Sequence, residues 1–441
     1  MSSVKYPANI SKIDLLKLSI PVFFANIAIP LVGIVDTGLM GHLENEKFLV
    51  ATSISTTVMT MILWSFGFLR MGTTGLVAQA LGRGDYREIV LIVLRNFSLV
   101  LIISLAIIIL KNPIVFLINQ IFNSTNETSI LINEYISLRV FSAPAELIIY
   151  ILVGFYLGLQ KTNISSLSIT FFSLTNILLS SYFVLQMNLD IEGVVLGTLI
   201  SAYLTAAIFT VYTYFYIIKK FNIIPRFKKI FVKKKMFKLF NINLNIFIRT
   251  ILLTFAFFWV TYQSSKLGED YIAVNAILMQ FILFASFFLD AFAFSTEGVV
   301  GFALGRRGQN SFLNSVRNSF ELSFLTSVVI SIFFLIFFKS IVNILTDLEI
   351  IRYLSYGFIF WIVIIPPVAT FCYQFDGIFV GTSHTSEMRN AMIISVASFI
   401  FLSIYFVEYL QNHGLWFSFL LFMLIRSLTL FYYFPKILKK F

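Results

Sequence analysis

The sequence predicts an all-α integral membrane protein with twelve transmembrane helices, arranged as two six-helix bundles related by a pseudo-two-fold axis along the membrane normal. Three observations predict it. The first is composition: 59% of the 441 residues are hydrophobic and only 12% charged, with a mean hydropathy of +0.91, more apolar surface than a soluble domain of this size needs. The second is a succession of long, almost uncharged runs without strand-type alternation, which favours helices over a membrane barrel. The third is an internal repeat on either side of a basic stretch.

The spans lie near 15–41, 47–81, 89–119, 130–160, 163–187, 192–219, 238–265, 270–304, 312–345, 352–382, 389–408 and 413–437. Each is long enough to cross about 30 Å of hydrocarbon as a helix. The first holds no charge from Leu18 to Val35 and then presents Asp36. Its Pro30 lacks an N–H, so the Asn26 carbonyl loses its helical partner and the helix can hinge there. The second span ends at the turn Gly82–Asp85. The fourth carries Arg139 and Glu146, and the twelfth Arg426, which blur their limits. Residues 1–218 form the N-lobe, 219–237 a basic cytoplasmic linker and 238–441 the C-lobe.

Loop charge sets the orientation. Nine Lys/Arg and no acid fall between Lys219 and Lys238. The N-terminus, the turns at Arg83 and Arg306, and the tail (Lys436, Lys439, Lys440) are basic too. Alternate loops carry the acids Glu44, Glu46, Glu127, Glu134, Asp190, Glu192, Glu269, Asp270, Asp347, Glu349 and Glu408. The positive-inside rule then puts both termini in the cytoplasm. The net charge of +11 is explained by topology, so no nucleic-acid partner is expected. The first apolar run is too long for a cleavable leader and lacks a small-residue cleavage site.

The repeat aligns FLRMGTTGLVAQALGRGD (68–85) with FAFSTEGVVGFALGRRG (292–308): Gly75 and Ala80 to Arg83 fall on Gly298 and Ala303 to Arg306, an offset of 223. Arg95-Asn96 meets Arg317-Asn318, and Pro144 meets Pro366, at 222. Six spans per copy is an even number, so both copies enter the membrane from the same side, as expected of a parallel-repeat carrier.

Several residues could carry chemistry. Asp36 lies about five residues, roughly 7 Å, inside the outer end of its helix. A carboxylate at that depth binds a proton or cation, or hydrogen-bonds a neighbouring span. Asn176 and Ser180 share a face of the fifth span at i, i+4, and the sixth carries Thr198. These can surround Asp36 or simply bridge helices. In the second half, Asp290, Glu297 and Asp376 are candidates for a cation or a cationic substrate, and Glu297 can instead pair with Arg306 or Arg307. Arg249 reads as a snorkelling cation. Arg70 is either that or a partner for the acids. Asn275 and Gln280 line a cavity or act as interhelical glue.

No phosphate loop or dinucleotide fingerprint occurs in a suitable context, which argues against ATP-driven transport, and no HExxH or GxSxG supports hydrolysis. The lone Cys372 and the three scattered histidines offer neither a disulfide nor a metal site, so no cofactor is expected.

The segments IVDTGLMGHL, FLRMGTTGLVAQALG, IFIRTILLTFAFF, AVNAILMQF, DAFAFSTEGVVG and FDGIFVGTSHTSEMRNAM together resemble the multidrug and toxic compound extrusion (MATE) family, nearest its DinF-like branch, along essentially the whole chain. The resemblance implies a bacterial inner-membrane antiporter, monomeric, exporting lipophilic or cationic organic compounds against H⁺ or, less readily, Na⁺. Asp36 matches the family's first-helix aspartate, implicated in proton coupling, and Asn176 and Thr198 match its polar partners. Ser180 stands where many members have a second aspartate and Val32 where some have a tyrosine, which favours H⁺ over a chelated Na⁺. Arg70, Asp290 and Asp376 match motif positions of the branch. At an offset of 222, Phe258 stands opposite Asp36, so the lobes are not equivalent. A lipid-linked precursor flippase of the same superfamily is the alternative and calls for a strongly cationic cavity, whereas the deep charges here read as mostly acidic. An intramembrane enzyme is a remoter one, and a passive channel suits the repeat poorly.

Overall fold

A computed structural model describes residues 10–41, 46–122, 125–221 and 230–441. Every regular element among them is helical. In chain order they are α1 (Lys12–Gly41), α2 (Glu46–Ser65), α3 (Phe68–Gly82), α4 (Tyr86–Ile109), α5 (Lys111–Phe122), α6 (Asn126–Arg139), a short 3₁₀ turn (Val140–Ser142), α7 (Ala143–Gly158), α8 (Thr162–Leu185), α9 (Ile191–Phe221), α10 (Lys233–Leu267), α11 (Glu269–Gly305), α12 (Gln309–Leu345), α13 (Glu349–Tyr356), α14 (Ile359–Gly381) and α15 (Thr385–Leu438). Eleven helical stretches among the described residues are long and apolar enough to cross a membrane.

Several expected spans are subdivided, at residues that explain the break. The second bends at Phe66–Gly67, the third at Leu110 just before Pro113, the fourth at the 3₁₀ turn before Pro144, and the tenth at Gly357. Glycine and proline are the residues that weaken or cannot continue the i→i−4 ladder. The eleventh and twelfth expected spans both lie in α15, which is two helices meeting at the non-helical residue Gln411 (φ 52°, ψ −135°). Pro30 lies within α1, whose limits enclose it. Of the expected linker, residues 219–221 close α9 and 233–237 open α10. Residues 222–229 lie outside the described residues, as does Glu44 of the first outer loop, while Glu46 opens α2.

The chain divides into two compact units. The C-terminal unit comprises residues 1–23 and 241–441, and the N-terminal unit residues 24–240. The C-terminal unit has a core of Leu278, Ile362, Phe399, Trp416, Phe419 and Phe422, each under 2% exposed. Many large apolar side chains point outward instead, among them Ile121, Phe401, Tyr432 and Ile344 at 71 to 83%. Such outward surface belongs in lipid.

The repeat is written into the backbone as well as the sequence. Gly84 and Arg307 are both left-handed (φ 72° and 58°), as are Gln160 and Ser383 (57° and 54°), and Asn188 and Gln411 (53° and 52°). Each pair is separated by 223 residues, as 307 − 84, 383 − 160 and 411 − 188 show. Helix packing follows the same spacing. In the N-terminal unit α7 packs on α3, with Gly154 against the Arg70 backbone and Gly158 2.8 Å from the Thr74 carbonyl, measured from the Cβ a larger residue would have. In the C-terminal unit α14 packs on α11, with Gly377 against Ala293 and Gly381 against Glu297. Small residues four apart let helix backbones meet without intervening side chains. Arg95 and Asn318, from the matched Arg-Asn pairs, each hold a backbone carbonyl at 2.9 Å, Ile230 and Ile10 respectively.

Candidate coupling and substrate sites

In the N-terminal unit α8 and α9 meet closely because Gly197 has no side chain. A Cβ there would stand 2.6 Å from the Ser180 nitrogen and 2.8 Å from its Cα. The close approach brings together the polar residues expected around Asp36. Asn176 Nδ2 donates to Thr198 Oγ1 at 2.9 Å, and Thr198 Oγ1 donates to the Val194 carbonyl at 3.1 Å. The Ser180 hydroxyl lies 3.4 Å from both Asn176 Oδ1 and the Val194 carbonyl. Asp36, 5% exposed on α1, has the Ser180 hydroxyl and the Arg139 guanidinium as electrostatic neighbours. Its Oδ1 is buried and accepts no hydrogen bond from the described residues.

A second layer adjoins this group and was not anticipated. Arg139, at the end of α6, pairs with Glu146 of α7 and donates to Ser142 Oγ. Tyr135, one turn earlier and 2% exposed, shares a 2.9 Å hydrogen bond with Thr56 on α2 and feels both Arg139 and Asp36. The sequence held a signal for it: Arg139 and Glu146 are two turns apart in an apolar span, with Tyr135 at i−4 of the arginine, so all three fall on one stripe.

The C-terminal unit corrects two readings. Arg249 does not snorkel. It is 7% exposed and paired with Asp376, and Arg426 of α15, 2% exposed, pairs with the same carboxylate. Asp376 is therefore already held by two guanidiniums, and the deep charges of this half are not mostly acidic. Asp290 is half-buried on α11 and acts, with these three, on Cys372. Glu297 is 1% exposed, beside a network in which Thr296, Ser319 and Gln374 bond one another, while Arg306 and Arg307 are exposed. Arg70 is half-buried on α3.

Asn275 is glue. Its amide donates to Ser264 and to Asn412, each at 2.7 Å, and its oxygen accepts from Asn412 (3.0 Å) and Trp416 (2.8 Å). Both donors and both lone pairs are thereby engaged. Gln280 is exposed.

Comparison with known proteins places the chain. The MatE family profile matches it twice, over residues 21–182 and 246–407. DNA damage-inducible protein F of Escherichia coli (strain K12) is 31% identical over 413 residues, 94% of this chain and 90% of that protein. Multidrug export protein MepA of Staphylococcus aureus (strain MSSA476) is 23% identical over 290 residues, 65% of this chain and 62% of that one. Among solved structures, a MATE in complex with MaD3S superposes with a TM-score of 0.88 at 17% identity, covering 97% of this chain and 96% of that one. The outward-facing conformation of a multidrug resistance MATE family transporter of the MOP superfamily gives 0.87 at 17% identity, again covering 97% and 96%. The double profile match agrees with the repeat in turns and glycines, and identity holds along nearly the whole chain: this multi-pass membrane protein belongs to the MATE family and is a transporter, not an enzyme.

Proposed function

We propose that the protein is a proton-coupled antiporter that exports amphipathic organic compounds, lipophilic cations among them, by alternating access. The observation that carries the coupling is Asp36: a buried carboxylate with one oxygen unbonded among the described residues, on the helix that also contains Pro30. Keeping a carboxylate charged away from water is costly, so proton exchange at Asp36 biases the bend of α1 at Pro30. One charge crossing ~150 mV supplies roughly 3.5 kcal/mol, enough for a substrate gradient of about a few hundred-fold.

Proton rather than Na⁺ is favoured by the state of the neighbouring oxygens. Asn176 Oδ1 faces Ser180, and the Thr198 hydroxyl is taken up by Asn176 and Val194. The nearby Arg139 guanidinium also repels a metal cation. Hard cations need several oxygen ligands, and here one carboxylate stands almost alone.

The break at Gln411, matching the turn at Asn188, supports counting α15 as two spans, hence twelve in two six-helix lobes related by an axis along the membrane normal. The basic and acidic loops support cytoplasmic termini in a bacterial inner membrane. By the repeat the lobes are 1–218 and 238–441, although residues 1–23 cluster with the C-terminal unit, and the working unit is a monomer. The multidrug-export names of the MepA relatives support organic substrates.

Dye uptake into inside-out vesicles under an imposed pH or Na⁺ gradient tests the coupling. Wild type is expected to accumulate dye under the pH gradient alone, and Asp36→Asn to lose that drive. Equal ΔpH-driven uptake by Asp36→Asn and wild type would remove Asp36 from the coupling site.

A further inference from the structure

Two guanidinium groups converge on one carboxylate oxygen inside the C-terminal unit. Arg249 from α10 and Arg426 from α15 each donate through a single terminal nitrogen to Oδ2 of Asp376 on α14. The three side chains are 9%, 3% and 10% exposed. The other oxygen of Asp376 and the Nε–H of both arginines are buried and make no hydrogen bond among the described residues. A tie between three helices needs no second cation, whose repulsion from the first is strong away from water. Guanidinium donors come in forks that fit carboxylate, sulfonate and phosphate oxygens pairwise, and here neither fork is fully used.

The surroundings suit an organic anion. Cys372, one turn before Asp376, is fully buried within electrostatic reach of both arginines, Asp376 and Asp290, and its sulfur lies 3.6 Å from that of Met423. Met423 and Tyr373 line a small apolar cavity with Ser286, Leu289 and Pro366. Buried donors therefore stand beside an apolar wall.

We infer that Arg249 and Arg426 form a binding site for the anionic group of an amphipathic substrate, a carboxylate, sulfonate or phosphate, and that Asp376 is the resident anion holding the pair until substrate replaces it. The inference rests on the transporter reading above and extends its substrate class from lipophilic cations to zwitterions and organic acids. It does not depend on which ion is coupled.

Two matched probes test it: a rhodamine with a free carboxylate and its ethyl ester. Binding is measured by fluorescence anisotropy on the full-length protein in phosphatidylcholine nanodiscs. The free acid is expected to bind wild type tenfold or more tightly than the ester and to raise its melting temperature. Arg426→Gln is expected to weaken the free acid at least tenfold and the ester by less than twofold. Asp376→Asn removes the internal competitor and is expected to tighten the free acid. Displacement of the free acid by phosphatidylglycerol, lost in Arg426→Gln, would keep the anion site and name a lipid phosphate as its occupant.

Equal binding of acid and ester to wild type overturns the inference without recourse to any variant. So does a parallel loss of both dyes in Arg426→Gln and Asp376→Asn, the mark of a purely structural tie. ΔpH-driven uptake of the ester, measured separately with Asp36→Asn, reports on the coupling and not on this site.

Discussion

Asp36 and Asp376 are carboxylates buried to 5% and 7% exposure, yet their surroundings are opposite. Asp376 is clamped by two arginines, while the one guanidinium near Asp36 is paired with Glu146. Arg139→Gln therefore strands Glu146 in an apolar setting, a change that typically costs about 3–5 kcal/mol. A large fall in melting temperature in detergent is expected, with partial recovery when Glu146 is also made Gln. A single variant as stable as wild type would refute the pairing. His384, in the turn between α14 and α15, gives a pH prediction. Burial, helped by Lys440 and Lys436 and opposed by Glu387, pushes its imidazole down to about 4. Between that value and the ordinary one near 6.5 the unfolded chain binds a proton that the folded chain does not. This contribution is complete above pH ~6.5 and falls as the pH drops toward 4, by on the order of 2 kcal/mol. Melting curves from pH 7.5 to 4.5 should slope accordingly, and His384→Gln should flatten that slope. Asp36, Asn176, Ser180 and Thr198 were legible in the sequence because short spacing puts Asn176 and Ser180 on one face. The role of Arg249 was not, since its partner lies 127 residues away and one strand of text does not say which distant helices meet.

The glycine pairs decide how closely helices approach. Gly154 and Gly158 seat α7 on α3, Gly377 and Gly381 seat α14 on α11, and Gly197 seats α9 on α8. Any side chain at Gly381 meets the backbone of Glu297, which cannot swing aside. Gly381→Val is expected to cost at least the roughly 1–3 kcal/mol typical of overpacking and to lower the yield of folded protein. Gly33→Val, where nothing lies within 4 Å of an added Cβ, should leave yield and melting temperature near wild type. Equal behaviour of the two would contradict the packing. Periodicity and hydropathy located most of the helices, because apolar length is a property of each segment by itself. They did not locate the breaks inside spans two, three, four and ten, where one glycine or proline outweighs an otherwise uniform apolar run. They did separate the two helices of α15, which meet at the single left-handed residue Gln411.

Across the whole molecule, sequence repetition and charge alternation made the two-part organisation readable. The unequal chemistry of the parts was readable only in outline: Phe258, opposite Asp36, is 60% exposed, but the double-arginine cluster of the other half gave no local signal. Orientation can be checked with a convenient background, since Cys372 is the single cysteine and is fully buried. In Cys372→Ser, a cysteine placed at Tyr353 should react with an impermeant maleimide in intact cells and one placed at Arg307 should not; the reverse pattern would invert the topology. The left-handed turn residues have a practical meaning for protein engineering. Of the three matched pairs only Gly84 is glycine; Arg307, Gln160, Ser383, Asn188 and Gln411 hold a conformation that costs an ordinary L-residue about 1–2 kcal/mol. Glycine at all five positions would relieve that strain at some loss of chain entropy. None of the five belongs to the buried ion pairs described above, and the fivefold variant is expected to melt at a higher temperature than wild type.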